Sequence, residues 1–572
     1  MARRGFALFA LTAVSALVLS VASSGAPAAP PTLTRAAGDA YVPGQVIVRY
    51  AAGTTRTDRH AAADDAGAAE VESLGTARTE LLQLDADSSV EEAIAELELN
   101  PDVAYAEPNF LYEISAVPND TNFGQLWGLS QASDKDIDAP EAWDITTGSS
   151  SIIVAVIDSG VAYDHPDLAP NIWTNDDDTG DNVDDDGNGQ IDDTHGWDFF
   201  QGDNVPLDAN HHGTHVAGTI GARGNNSLGV TGVNWQVSIM PLRAGDAGGS
   251  LPNSAIISSI YYACQNGARV VNGSFGGSGS STATLNAINS PECANTLFVF
   301  AAGNGGSDGV GDNNDSFPQY PCNYDTPRII CVAATDQNDF RATFSNIGPN
   351  SVDLAAPGVG ILSSTPTYNN LLVDGFEDTP TLFSTRWGGQ TAPAGHPLWG
   401  QQNLVYEGGG TYSASDSPAG NYAVSTDSQV TSLISANLTG RRVCSLDYFM
   451  HLSTFTGDVF QIYAASSPVG PFADVTNGGW QGSTGTKFFG FTEEMAEYDG
   501  AASVFLRFRL TSNADANVSD GAHIDDVAIK CVGTPPPAGE YENLNGTSMA
   551  TPHVAGAAAL VLARNPALTP AQ

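Results

Sequence analysis

Positive charge is scarce in this chain. Its 572 residues hold 21 Lys plus Arg against 65 Asp plus Glu, a formal net charge of −44. That balance repels polyanions, so nucleic acid and anionic membrane surfaces are excluded as partners, and it suits a soluble exported protein that binds cations. Long apolar runs are missing after residue 21, so nothing later in the sequence is able to span a bilayer. The six cysteines include no Cys-x-x-Cys pair, which argues against a metal site and for disulfides in an oxidising compartment. Pairing within regions gives Cys264–Cys293, Cys322–Cys331 and Cys444–Cys531, one of fifteen connectivities.

Residues 1–28 stand apart from the rest. Arg3-Arg4 precede an uncharged apolar stretch from Gly5 to Val21, and small residues follow up to Ala26-Pro-Ala28. This has the n-, h- and c-regions of a secretory leader, with cleavage expected after Ala28, and predicts a secreted, extracellular protein. Such a length exceeds one ordinary core, so several domains are expected.

Residues 40–113 read as a small α+β unit. Gly44–Tyr50 alternates like a strand, Ser88–Leu99 has helical spacing, and Asp102–Pro108 reads as a closing strand. From Trp127 to Pro366 strands and helices alternate. The strands expected are Ile152–Ile157, Val237–Pro241, Ala268–Asn272, Leu297–Ala301 and Ile329–Ala333, with helices at Ser254–Cys264 and Ser281–Asn289. That is the βαβ pattern of an α/β doubly wound parallel sheet. It breaks after Thr365. Alternating aromatic runs such as Val459–Tyr463 and Ser503–Leu510 then lack a helical period, which predicts an all-β sandwich over 370–534 inserted into the α/β domain.

Three segments carry chemistry. Val154–Ile157 reads as a buried strand ending on Asp158-Ser-Gly160. His211-His-Gly-Thr-His-Val-Ala-Gly218 reads as a loop entering an apolar helix. Gly546-Thr-Ser-Met-Ala-Thr-Pro-His-Val-Ala-Gly556 puts a serine at the mouth of another, Val554–Ala563. A serine needs a base, and the base an orienting carboxylate; both are present, in the order Asp, His, Ser. With Phe300-Ala-Ala-Gly-Asn304 as a fourth segment, the chain resembles the subtilisin-like (subtilase) serine proteases over residues 119–367 and 538–572.

The resemblance implies an endopeptidase with Ser548 as nucleophile, His212 as base and then acid, and Asp158 orienting the imidazole. Asn304 and the Ser548 N–H would form the oxyanion hole. Ser274, Phe275 and Gly276 would pair with an extended peptide, with Ala301 and Gly303 on the opposite wall; the lining lacks a carboxylate, so apolar P1 residues are expected. Residues 40–113 resemble the family's propeptide, an inhibitor and folding template removed between Glu113 and Asn122. Protein or peptide substrates and a monomeric enzyme follow. Thr569-Pro-Ala-Gln572 looks like the start of a helix without a body, as in a fragment or a shortened chain.

Calcium, in a structural role, is the expected cofactor, and no organic cofactor is. Asp184, Asp186 and Asn188 occupy the first, third and fifth positions of an EF-hand-type loop, with Gln190 at the carbonyl position and Asp192 at the ninth. His195 stands at the twelfth position, so the bidentate ligand must come from Asp192, Asp193 or elsewhere. Separately, Asp167 and Asn226 with the carbonyls of Gly224, Leu228 and Val230 resemble the family's tight calcium site. Two other roles remain open: a selective processing protease whose sandwich restricts access, and a binding protein on a vestigial peptidase scaffold.

Overall fold

The computed structural model describes residues 41–75, 78–86, 88–110, 116–175, 181–306, 308–377, 380–393, 398–404, 411–418, 420–485 and 487–572. The expected secretory leader, residues 1–28, lies outside the described residues, as do Asp176, Asp177 and Asp178 beside the acidic loop. The chain divides into two units, residues 1–115 and 116–572. In the first, strands Ala68–Ser73, Thr79–Leu84, Tyr41–Tyr50 and Val103–Phe110 form an antiparallel sheet in that order. Helices Arg56–Asp65 and Val90–Leu99 bury Ala62, Ala63, Val90, Ala93 and Leu97 against Val46, Val48 and Leu82. The helix over 56–65 and the strands over 68–84 add to the three elements legible in the sequence.

The second unit is built on seven strands, all parallel. Their order is Leu354–Pro357, Ile329–Thr335, Leu297–Ala301, Val270–Gly273, Gly148–Asp158, Gln236–Arg243 and Trp197–Asp198. Strand Gly148–Asp158 is apolar on both sides because both faces are covered. Val154 and Val156 face a core that includes Ala555, Ala559 and Leu560 of helix Thr547–Arg564. Ala155 and Ile157 face the opposite core, with Met240, Leu242 and helix Asn253–Gln265. Two predicted disulfides, Cys264–Cys293 and Cys322–Cys331, form in this layer.

Strands Ile361–Ser364 and Tyr541–Leu544 pair antiparallel, and the chain between them forms two antiparallel sheets. Leu446, Met450 and Ile524 of one sheet meet Val430, Phe460 and Phe508 of the other in a common core. A short helix, Pro380–Arg386, is its one α-helix among the described residues. Cys444–Cys531 bridges neighbouring strands across 87 residues. Closing a loop of that length stabilises by roughly 4–5 kcal/mol in the chain-entropy description.

The sandwich is anchored to the α/β layer by charge. Arg243, at the end of its strand and 1% exposed, donates to Asp198 Oδ2 at 2.9 Å and Glu494 Oε1 at 2.6 Å. Glu494 belongs to the sandwich, and the same oxygen accepts from the N–H of Ala247. Burial pushes Asp198 up to about 6 despite the opposing guanidinium, and raises Glu494 as well. An apolar seam of Leu207, Ala209, Ala247, Val443 and Val532 lies alongside. Glu494→Ala would leave a buried guanidinium half neutralised. Breaking a buried pair in this way costs about 3 kcal/mol or more, and chemical denaturation of the whole chain should register that loss.

Candidate active site

Asp158 ends its strand at the carboxyl edge of the sheet and is buried. Its Oδ1 accepts from His212 Nδ1 at 2.7 Å and from the Ser159 N–H at 2.8 Å. The carboxylate therefore selects the imidazole tautomer that leaves Nε2 as a base. Gly213 permits the approach: a Cβ there would stand 2.1 Å from the Gly160 carbonyl oxygen and 3.0 Å from Asp158 Cβ.

A second carboxylate fixes the loop from below. Asp208 is fully buried and accepts from Ser159 Oγ, Asn210 N, His211 N, Thr214 N and Thr214 Oγ1, at 2.6–3.0 Å. Burial would lower the His212 pKa, but the charge and hydrogen bond of Asp158, with the field of Asp208, hold it above the ordinary histidine value.

Helix Thr547–Arg564 begins well before the predicted Val554 because Pro552 is accommodated inside it. Proline lacks the N–H that would bond the carbonyl four residues back. Here that carbonyl, Ser548 O, accepts instead from Ser274 Oγ at 2.8 Å. Ser548 Oγ returns a bond to the Ser274 carbonyl at 2.9 Å. Ser548 is the second helical residue after the cap Gly546, so its N–H has no partner within the helix.

Asn304 follows the strand that ends on Ala301. Its Oδ1 accepts from the N–H and hydroxyl of Thr547 at 2.8 and 2.9 Å, which turns the amide NH₂ toward Gly546. A Cβ on Gly546 would lie 3.4 Å from both Asn304 Nδ2 and Ser548 N, so the two donors converge on one small space. Nearby, Phe275 packs edge-on against Phe300 at 5.9 Å, while Gly276 is exposed. Ala301 is buried, and Gly303 takes φ +103°, where its N–H reaches Thr547 Oγ1. The main chain of Gly277 is paired with Tyr320, whereas Ser274–Gly276 has no backbone–backbone bond among the described residues, the Ser274 carbonyl being taken by Ser548 Oγ.

The neighbouring histidines do structural work. His215 is buried, pushed down to about 4 by burial, and donates Nε2–H to the Ile361 carbonyl at 2.8 Å. His553, also held near 4 by burial, bonds the Met549 carbonyl. His211 caps its helix at φ +87°, a left-handed conformation held by Glu542 Oε1 at 2.5 Å from Nδ1.

The expected metal ligands fall into two groups. Asp167 is buried, accepting from Asn226 Nδ2 at 2.6 Å, Val230 N at 3.0 Å and Tyr541 OH at 3.0 Å, while Asn226 Oδ1 takes the Leu228 N–H. Beside it is Asp120, a residue sequence reasoning missed. Its Oδ2 accepts from Asn225 N at 2.7 Å, and its buried Oδ1 has no partner. Burial raises both carboxyls. Two buried carboxylates with an orphaned oxygen fit a dication.

In the acidic loop, Asn188 Nδ2 bridges Asp186 and Asp193, Asp184 accepts from Gly189 N, and the Gln190 N–H bonds Asn188 Oδ1. Asp184 Oδ1 has no partner, which again suits a cation. Asp192 is turned away: both its oxygens take the Asn182 N–H, and the carboxylate beside Asp186 is that of Asp193. The reason is local. Asp192 adopts φ +55°, which reverses the chain and buries Asp193 against Tyr262 and Asn175. Asp208 was missed as well: like Asp120 it takes a donor from a distant segment, Ser159 Oγ for Asp208 and Asn225 N for Asp120, and neither stands in a recognisable spacing.

Comparison with known proteins agrees with this geometry. The subtilase family model matches residues 149–381 and 495–572, leaving 382–494 of the sandwich unmatched, and a fervidolysin N-terminal prodomain model matches residues 27–109. The chain is 36% identical to a thermophilic serine proteinase of Bacillus sp. strain AK1 over 326 residues, 57% of this chain and 72% of that one. It is 37% identical to thermitase of Thermoactinomyces vulgaris over 250 residues, covering 44% and 76%. A halolysin-like extracellular serine protease of Natrialba magadii is 32% identical over 266 residues, 46% and 43%. The chain belongs to the subtilase family. It is a subtilisin-like serine endopeptidase with an N-terminal prodomain.

The raised His212 pKa has two consequences of opposite sign. Protonated His212 favours the folded state, a contribution fully present below the unfolded value of about 6.5 and lost as pH rises through the folded value. In the proposed role of base His212 must be neutral, so kcat/KM should rise with pH on a limb centred above the ordinary histidine value of about 6.5. Asp208→Asn removes a charge that favours the imidazolium. In a kcat/KM profile against pH, the acid limb of this variant should move to lower pH.

Proposed function

We propose that the protein is a secreted endopeptidase, made as an autoprocessed zymogen, in which Asp158, His212 and Ser548 form the catalytic triad. The observation that carries this reading is the 2.7 Å bond from His212 Nδ1 to buried Asp158, which reserves Nε2 for the serine. Rotation about χ1 of Ser548 would exchange its bond to the Ser274 carbonyl for one to His212. Ser548 Oγ then attacks the scissile carbonyl as His212 takes its proton. The Ser548 N–H and Asn304 Nδ2 receive the developing oxyanion, and the imidazolium returns the proton to the leaving amine. Water repeats the sequence on the acyl-enzyme.

The unpaired main chain at Ser274–Gly276 suits an extended peptide added as a strand, with Phe275 and the small residues Ala301 and Gly303 favouring apolar P1 side chains. Residues 40–113 serve as propeptide. Calcium would be held by Asp167, Asp120, Asn226 and the carbonyls of Leu228 and Val230, with a second ion at Asp184, Asp186, Asn188, Gln190 and Asp193. It supplies stability and takes no part in the reaction. The sandwich narrows access to the cleft, since Glu494 holds the Ala247 segment, whose carbonyl accepts from Asn210 beside the histidine loop.

Ser548→Ala should lower turnover by about 10⁶, a figure that comes from subtilisin, a member of this same family, and should leave the prodomain attached. Asn304→Ala, which removes one oxyanion donor, should cost only about 10²–10³. Equal peptidase activity in wild type and Ser548→Ala would overturn the mechanism. Chelation should accelerate thermal inactivation while changing initial turnover little, because Asp120 and Asp167 then face each other uncompensated. An inactivation half-life indifferent to chelator would remove the calcium reading.

A further inference from the structure

Among the described residues, one group of metal-ligating side chains draws its atoms together, and it lies in the sandwich. His451, Asp520 and His523 each offer a ligand atom, and the three atoms lie within 4.8 Å of one another. His451 and His523 stand directly opposite each other on neighbouring antiparallel strands, Arg442–Ser453 and Gly521–Val532. Leu446, Met450, Leu452, Ala522 and Ile524 on these strands are core residues of the sandwich. Alternation along a strand puts the two histidines on the opposite face, yet they are 8% and 0% exposed. The segment from Gly482 lies beside them: the Gly482 carbonyl accepts from Thr454 N, Thr484 N bonds Leu452 O, and the Phe488 ring is tilted against His451 at 5.7 Å.

Two imidazoles buried with ring centroids 5.3 Å apart are a poor choice for packing, because each needs its nitrogens satisfied. The structure satisfies only half of them. His451 Nε2 bonds the Gly485 carbonyl at 2.9 Å, and a carbonyl can only accept, so Nε2 carries the proton. His523 Nε2 lies 3.1 Å from Asp520 Oδ2. The Nδ1 atom of each ring is buried without a partner.

We propose that His451, His523 and Asp520 bind a borderline transition-metal dication, zinc above all. Two imidazoles and one carboxylate suit zinc and its neighbours, whereas calcium and magnesium take oxygen ligands. The carbonyl that fixes the His451 ring is the outer partner that metal-bound histidines ordinarily have. Zinc bonds of about 2.0–2.2 Å place tetrahedral ligands roughly 3.4 Å apart. His523 Nε2 and Asp520 Oδ2 already meet that spacing at 3.1 Å, and the His451 ligand atom, within 4.8 Å of both, needs a small inward shift. The fourth position opens beside half-exposed Asp520, toward water. The ion would tie the Gly482–Gly485 segment, two central strands and the Asp520 segment together, in a place that neither the triad nor the calcium loops use.

The test uses the full chain carrying Ser548→Ala, so that self-digestion does not interfere, with calcium in excess to saturate oxygen sites. Equilibrium dialysis against zinc should give one ion per chain more than in His451→Gln/His523→Gln. Cobalt(II) should give the intense visible bands of a four-coordinate site in the first protein and only weak bands in the second. Asp520→Asn, a change near the surface, should weaken zinc binding by about tenfold or more while leaving the zinc-free melting temperature unchanged. Equal zinc stoichiometry in the presence and absence of the two histidines would overturn the proposal, as would weak, six-coordinate cobalt bands in the parent. If the double variant fails to fold, the Asp520→Asn titration decides, and an unchanged affinity there overturns it.

Discussion

The buried carboxylate of Asp208 is the constraint on which the geometry of the proposed triad rests. One end of the peptidase chemistry sits on a strand and the other on a helix more than fifty residues later, and neither segment has reason to meet the other. Asp208 joins them through five donors, one from Ser159 beside Asp158 and four from the turn and helix that carry His212. Hydrogen bonds to an ionised acceptor are stronger than neutral ones, and here they also offset the cost of burying the charge. The same charge adds to that of Asp158 in favouring the imidazolium. Asp208 thus fixes the loop that positions His212 and adds a smaller share to the pKa rise that Asp158 chiefly causes.

A related economy operates at the serine. Pro552 breaks the helix ladder one turn after Ser548, and Ser274 fills the vacancy. That exchange binds the nucleophile helix to the segment beside the proposed substrate strand. The proposed oxyanion donors share a single support, since Thr547 both orients Asn304 and precedes Ser548. The proposed catalytic parts, from three strand ends and two helices, are held by contacts made at the carboxyl edge of one parallel sheet, where such folds bind their ligands.

The sandwich changes this picture from an appended module to a brace. Its Glu494 completes the neutralisation of Arg243, and Val443 and Val532 pack on Leu207 and Ala209, which lead into the histidine loop. Contacts from the insert thus support the loop that carries His212, although the insert contributes no residue to the proposed triad. A zinc ion at His451 and His523 would reinforce the brace within the same sheet that carries Glu494, independently of the proposed calcium loops.

Periodicity made the strands over 152–157, 297–301 and 329–333 legible, because strands buried on both faces must be continuously apolar, and three short motifs marked Asp158, His212 and Ser548. The disulfide pairs were legible by region alone. The first unit was read less fully: helix Arg56–Asp65 is short and mostly exposed, so its apolar signal is only Ala62 and Ala63. The helix start at Thr547 was hidden because Pro552 reads as a breaker, and only the hydroxyl of Ser274, distant in sequence, makes it tolerable. Asp192 and Asp193 are equivalent in the sequence and are told apart by a left-handed residue that points one outward and buries the other. Asp120, Asp208, Glu494 and the facing histidines have the same character. Local pattern reports which residues seek burial or a turn, whereas a buried charge or imidazole takes its meaning from partners that only the folded chain brings within reach.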